Sequence, residues 1–188
     1  MSRLLKWAAY VAGAATVLYF VALAGVPYGV MSMIRSRLAG LDGGGVNVMV
    51  HSERSSHTSR SVVRPSPELL YSICWYDLSR SPVRITSGAP AGTYWSVALY
   101  RDNTDNFYVV NDTQTQGAKA DFVLYSEAQI TSGGKGPFES QYGHLGVPGV
   151  QSPSTTGLVL IRTLINDESK LPAIDGERRQ ATCVPVVP

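Results

Sequence analysis

Hydrophobic and polar positions divide the chain into three unlike stretches. From Trp7 to Ile34 no residue carries a charge, and Arg3 and Lys6 stand just before the run. As a helix this run reaches about 42 Å at about 1.5 Å per residue, more than the about 30 Å of a bilayer's hydrocarbon core. Trp7, Tyr10 and Tyr28 lie near its ends, as interfacial aromatics do. Pro27 predicts an end to the ideal helix, so the expected span is about Trp7 to Val26, with Tyr28 to Ile34 at the far interface. Ala22-Leu23-Ala24 also fits the cleavage site of a secretory signal peptide. The long apolar run, which continues past that site, favours a retained anchor over residues 1–34. Either reading places the rest of the chain outside the cytoplasm.

Residues 35–64 read as a linker. They contain Gly43-Gly44-Gly45 and the polar run His51 to Arg60, a composition that suits a solvated stalk. Val46, Val48 and Val50 alternate with Asn47 and Met49, so one short strand could interrupt it. His51 and His57 have only Glu53 near them at ligand spacing, a poor zinc set.

Residues 65–188 read as a single β domain. Strands are predicted at Leu70–Leu78, Val83–Thr86, Thr93–Tyr100, Phe107–Val110, Ala120–Tyr125 and Gly157–Leu164, with turn-formers between them. Residues 93–111 form an expected hairpin around Arg101-Asp102-Asn103-Thr104-Asp105-Asn106. The Gly/Pro/Ser-rich stretch 131–153 is expected to be a loop, and Ile174–Ala181 a helix. The fold class is therefore mainly β: an N-terminal transmembrane helix, a β-sandwich or jelly-roll-like domain, and a short C-terminal helix.

Charge sharpens this division. The net charge is +2 over 188 residues. Arg3 and Lys6 account for that excess, so the part beyond the apolar run is charge-balanced and shows no basic surplus for a nucleic acid. The two cysteines, Cys74 and Cys183, form a disulfide candidate in an oxidising compartment; the alternative is a buried free Cys74 with an exposed Cys183.

The densest polar group is Asp102, Asn103, Asp105, Asn106, Asn111 and Asp112. Its oxygens could bind Ca²⁺ or sugar hydroxyls, although Phe107 stands where a calcium loop needs glycine. Asx residues in a hairpin more commonly cap backbone N–H groups. Asn111-Asp112-Thr113 is a glycosylation sequon by pattern. The aromatics Tyr71, Trp75, Tyr76, Tyr94, Trp95, Tyr100, Phe107 and Tyr108 fall on both faces of their strands, so a one-sided core does not account for all of them. Tyr94, Trp95 and Tyr108, beside the Asx loop, are the candidates for ligand or partner contact. Asp77 is expected to pair inside the sandwich with Arg84 or Arg162. His144 is the one histidine inside the domain, and a general-base role beside a serine is conceivable for it. There is no nucleophile elbow, zinc spacing, phosphate loop or dinucleotide fingerprint, so no catalytic residue, metal or cofactor is assigned.

A set of segments resembles one known family. These are Arg64-Pro65-Ser66-Pro67-Glu68-Leu69-Leu70-Tyr71, Tyr76-Asp77-Leu78-Ser79, Pro82-Val83 and Gly92-Thr93-Tyr94-Trp95-Ser96-Val97. They continue with Asp105 to Asp112, Ser152-Pro153-Ser154 and Gly157-Leu158-Val159-Leu160-Ile161-Arg162. In order and spacing they resemble the domain of unknown function 1254, in its small membrane-anchored bacterial branch. The resemblance implies a β-sandwich-like fold. Larger members carry a second domain, numbered 1214, after this one. Glu68 stands where those relatives often have Asp.

The expected function is a membrane-anchored periplasmic binding or accessory subunit. It would sit in a bacterial inner membrane through residues 7–34, amino terminus cytoplasmic, with another membrane or periplasmic protein as partner, such as a separate 1214-domain protein. An envelope hydrolase or carbohydrate-processing enzyme using the Asp102–Asp112 carboxylates, and a glycan-binding module using the same loop, are the alternatives.

Overall fold

The computed structural model describes residues 2–41, 43–56, 65–117, 119–131 and 142–186. His57, the linker segment 57–64 and the loop segment 132–141 lie outside the described residues.

The apolar run folds as one helix, α1 (Arg3–Ala39), capped at its start by Ser2, whose Oγ accepts from the Leu5 N–H. It does not stop at Val26. Pro27 sits inside the helix. One proline removes one backbone hydrogen bond and crowds one carbonyl, whereas ending the helix there would release several bonds in an apolar stretch. Residues 35–39, expected to open the linker, are thus the helix's last turn.

Two sheets follow. The larger has the order β1 (Met49–His51), β2 (Leu69–Asp77), β8 (Thr156–Leu164), β4 (Trp95–Arg101) and β5 (Asn106–Asn111), every neighbour antiparallel. The smaller has the order β7 (Gly149–Ser152), β6 (Asp121–Ser126), β3 (Val83–Thr86) and β9 (Thr182–Pro185), with β6 and β7 parallel. A short helix α2 (Glu127–Thr131) follows β6, and α3 (Leu171–Arg178) precedes β9. The expected strands and the hairpin are present within one or two residues. The expected C-terminal helix begins earlier, with Pro172 in its first turn. The expected loop 131–153 contains β7, and the expected linker contains β1. Both are three- or four-residue edge strands, too short for alternation to be read.

The sheets pack face to face. Cys74, Tyr76, Trp95, Val97, Leu99, Val159 and Ile161 of the larger meet Val83, Ile85, Phe122, Leu124 and Cys183 of the smaller. The disulfide Cys74–Cys183 joins β2 to β9 across this core, with Cα atoms 6.5 Å apart. Buried Tyr76 ties strands at its far end: its Oη donates to the Tyr100 carbonyl at 3.2 Å and lies 3.0 Å from Ser152 Oγ. Gly157 lies opposite Tyr76 in register. A Cβ at position 157 would run into both the Tyr100 carbonyl oxygen and Tyr76 Oη, so only glycine fits.

The opposite face of the larger sheet is also apolar, because α1 covers part of it. Met31 and Leu38 are buried against Trp75 and Leu158, with Ile34, Val50, Ile73 and Tyr100 around them. The Arg35 guanidinium lies 5.8 Å from the centre of the Trp75 ring. Strand aromatics facing both ways are explained by this second layer.

Gly157→Ala is expected to destabilise the fold by about 2 kcal/mol or more, because neither the Tyr100 backbone nor the buried Tyr76 can yield freely. Thermal melts of the full chain in detergent check this. Loss of the disulfide, which closes a 109-residue separation, is expected to cost about 4–5 kcal/mol by chain entropy. A Cys74→Ser/Cys183→Ser pair should melt well below the native chain, and the native chain should shift on a non-reducing gel.

Candidate functional site

The polar group around the β4–β5 hairpin divides into two separate turns. Asp102, Asn103, Asp105 and Asn106 lie at one end. There the Asp105 N–H donates to Asn103 Oδ1 at 3.2 Å, Asn103 Nδ2 donates to Asp105 Oδ2 at 2.7 Å, and Asn106 Nδ2 donates to the Leu99 carbonyl at 3.2 Å. These bonds hold a turn that contains a positive φ of 74° at Thr104 and a bulge at Leu99/Tyr100. Asn111 ends β5 and Asp112 follows it, about 17 Å from Asn106 at about 3.4 Å per residue. Asn111 and Gln114 exchange reciprocal side chain to backbone bonds, both 3.0 Å. The carboxylates therefore do not converge; Asn103 and Asn111 cap backbone N–H groups, while Asp112 Oδ1 is buried without a hydrogen-bond partner among the described residues. Among the described residues no group of three or more His, Cys, Asp or Glu side chains comes together.

The aromatic candidates part company as well. Trp95 is buried in the core, and Tyr108 packs on Phe122 with ring centres 5.5 Å apart. Tyr94, 40% exposed, faces the other way.

The expected Asp77 ion pair is absent among the described residues. Asp77 Oδ1 accepts from the Ser79 N–H at 2.8 Å, and Arg84 pairs instead with Asp121 at 2.8 and 2.7 Å. The reason is parity: Asp77 and Arg84 project away from the core on different sheets, and each finds the nearest partner on its own surface. His144 sits exposed in a short turn, Gly143–Leu145.

Sequence reasoning missed a buried cation. The Arg178 side chain, 1% exposed, leaves α3 and clamps it to β2. Its Nη1 donates to the Tyr71 carbonyl at 2.6 Å and to Ser72 Oγ at 3.2 Å, while Nε and Nη2 both donate to Asp175. Arg179 donates to the same carboxylate at 2.8 Å. Burial pushes the Asp175 carboxyl up, but the bonds from Arg179 and Arg178 outweigh it and hold the group below its ordinary value. His51 Nδ1 lies 2.9 Å from Ser72 Oγ. Burial, then the Arg178 and Arg179 charges, push its imidazole below the ordinary 6.5. A hollow of about 270 Å³ adjoins this clamp, lined by Glu53, Arg54, Leu171, Asp175 and Arg179 among others. Its charges are internally matched, Arg54 being bound to Glu168 at 2.6 and 2.9 Å. The clamp is structural, and its only sequence trace is Asp175 placed three and four residues before Arg178 and Arg179.

The outer face of the larger sheet is different. Tyr71, Arg162, Ser96 and Asn111 stand in register across β2, β8, β4 and β5. Among the described residues Arg162 has no hydrogen-bond or ion-pair partner, and its Nε is buried without an acceptor. Ser96 beside it is 1% exposed with Oγ unpartnered, and Trp75 Nε1 on the same face is likewise buried and unpartnered. The adjacent positions on that face are Leu160, Leu164, Tyr94, Ala98, Leu69 and Ile73, none of them acidic. Around Arg162 this face holds no carboxylate, and the acceptors Tyr71 Oη and Asn111 Oδ1 are bonded to backbone N–H groups. The signal for it in the sequence is an arginine in mid-strand among apolar neighbours.

Two packed sheets bridged by a disulfide, with a long apolar helix docked outside, define an architecture without a catalytic constellation among the described residues. The chain belongs to the family described as Protein of unknown function (DUF1254), which it matches over residues 46–185. It is similar in fold to the VPA0106 protein of Vibrio parahaemolyticus, with a TM-score of 0.63 at 11% identity, covering 88% of this chain and 37% of that one. An uncharacterised protein from Burkholderia cenocepacia gives a TM-score of 0.47 at 17% identity, covering 86% of this chain and 41% of that one. The chain thus spans about two fifths of the length of these solved structures. A comparison with curated proteins finds no match.

Because His51 is held neutral in the fold, the unfolded chain binds the extra proton below pH 6.5. Stability therefore falls as pH drops from that point. His51→Gln is expected to flatten this part of the acid-side loss. Melting temperatures at pH 7.5 and 5.0 should lie closer together in the variant than in the native chain.

Proposed function

We propose that the chain is a membrane-anchored binding or accessory subunit whose sandwich stands on the periplasmic side and engages another envelope protein. The observation that carries this reading is the outer face of the larger sheet. One part of it is covered by α1, and the rest presents exposed Tyr94 and half-buried Arg162, which has no partner among the described residues. Arginine and tyrosine are the residues on which protein interfaces concentrate their energy. Larger relatives have additional chain that a separately encoded partner could supply here. A hydrolase built on the hairpin carboxylates has less support, since they stand at opposite ends of β5.

The membrane role rests on α1. Its residues before Met31 are largely exposed and apolar, and its hydropathy and length suit a span. Its last turns dock on the sandwich, so a cut after Ala24 would divide a continuous helix. The disulfide accords with an oxidising compartment.

Two measurements test this. The chain should remain in the membrane fraction after alkaline carbonate, with an intact mass that includes residues 1–24. Purified in mild detergent, it should bring down one partner in stoichiometric amount, identified by mass spectrometry. Recovery of the bait alone would overturn the accessory reading.

A further inference from the structure

Apart from exposed Arg80 in the turn after β2, the other described cations of the sandwich find carboxylates: Arg54 pairs with Glu168, Arg84 with Asp121, Lys119 with Glu177, and Arg178 and Arg179 with Asp175. Arg162 departs from this pattern in the middle of a sheet. It lies on the central strand β8, between Tyr71 and Ser96, with no carboxylate at any adjacent position on that face. A guanidinium whose Nε is out of water and out of hydrogen bonds leaves a donor unmet that a docked acceptor would satisfy. Trp75 Nε1 on the same face is a buried donor without an acceptor, and Ser96 Oγ is buried with no partner of either kind.

We propose that Arg162 is the seat of a carboxylate supplied by an acidic segment of a partner polypeptide, which lies across the Tyr94–Ser96–Arg162 row of the larger sheet. This rests on the accessory reading and names its anchor. Charge complementarity selects the occupant: the face offers a planar, always-charged fork suited to bidentate carboxylate binding. The neighbouring Leu160 and Leu164 provide the apolar surround that keeps water from such a pair.

The test uses the full chain in native membranes and the conservative variant Arg162→Lys. Carbodiimide joins an amine to a carboxylate in direct contact. The amine introduced by Arg162→Lys should therefore become amide-linked to an Asp or Glu of a second polypeptide, read as one cross-linked peptide. Retention of the co-purified partner should fall at least tenfold in Arg162→Gln and less in Arg162→Lys, with the disulfide and melting temperature of both unchanged. If Arg162→Gln fails to fold, the cross-link in Arg162→Lys decides alone. A partner held undiminished by Arg162→Gln leaves the accessory reading standing and overturns this inference. So does an introduced amine that stays unmodified, links to Asp112 of its own chain, or forms an adduct with lipid phosphate. A native chain that brings down no partner overturns both.

Discussion

The docking of α1 on the outer face of the five-stranded sheet is the contact on which the rest of the architecture depends. A sandwich of two sheets needs apolar residues on one face of each strand. Here β2 and β8 are apolar on both, because Trp75 and Leu158 lie under Met31, Ile34 and Leu38. Fully burying each such side chain is worth about 1.5–3 kcal/mol. Remove the helix and Trp75 becomes an exposed aromatic on a sticky sheet face. The same contact replaces the start of the expected stalk with helix docked on the sheet, and it decides which part of that face α1 leaves open.

Charge follows the same logic at smaller scale. Exposed pairs of the Arg54–Glu168 kind add little, since water and salt screen them. The Arg178–Asp175 clamp is of another kind. Its cation is buried, and taking away one partner would strand a charge beneath α3, a loss of about 3–5 kcal/mol. Against a background in which acids and bases are matched in number beyond the apolar run, one unmatched arginine on a central strand carries information that the total charge conceals.

Much of the fold was legible from alternation alone. The apolar run, the long strands Leu69–Asp77 and Thr156–Leu164, the hairpin and the cysteine pair all stand in the sequence, since each expresses a local period or a simple count. What escaped was set by contacts between distant residues. Strands β1, β7 and β9 are three or four residues long, and their pairing partners select them. Pro27 looked like an end because a local rule says so, yet the helix runs through it to reach the sheet. The Asx residues were grouped as one cluster although the strand expected at Phe107–Val110 already separates Asn106 from Asn111. Trp95 and Tyr94 are adjacent and point oppositely, so naming both as candidates could be right for at most one face. Arg162 was noticed and placed in the wrong layer.

The strand order also governs when the molecule can close. Strand β2 emerges early, but its inner neighbour β8 follows some eighty residues later, and Cys74 waits for Cys183 over a separation of 109. Contacts so remote in sequence are slow to form. Until its later neighbours form, β2 has Tyr76 and the Cys74 thiol uncovered. Helix α1 precedes it and is able to shelter the Trp75 side from the outset. The other side gains its cover from β3 and β6 and is completed by the final strand. Helix α1 is thus also the first cover available to half of a sheet, and the sulfur pairing is the last contact the chain order allows.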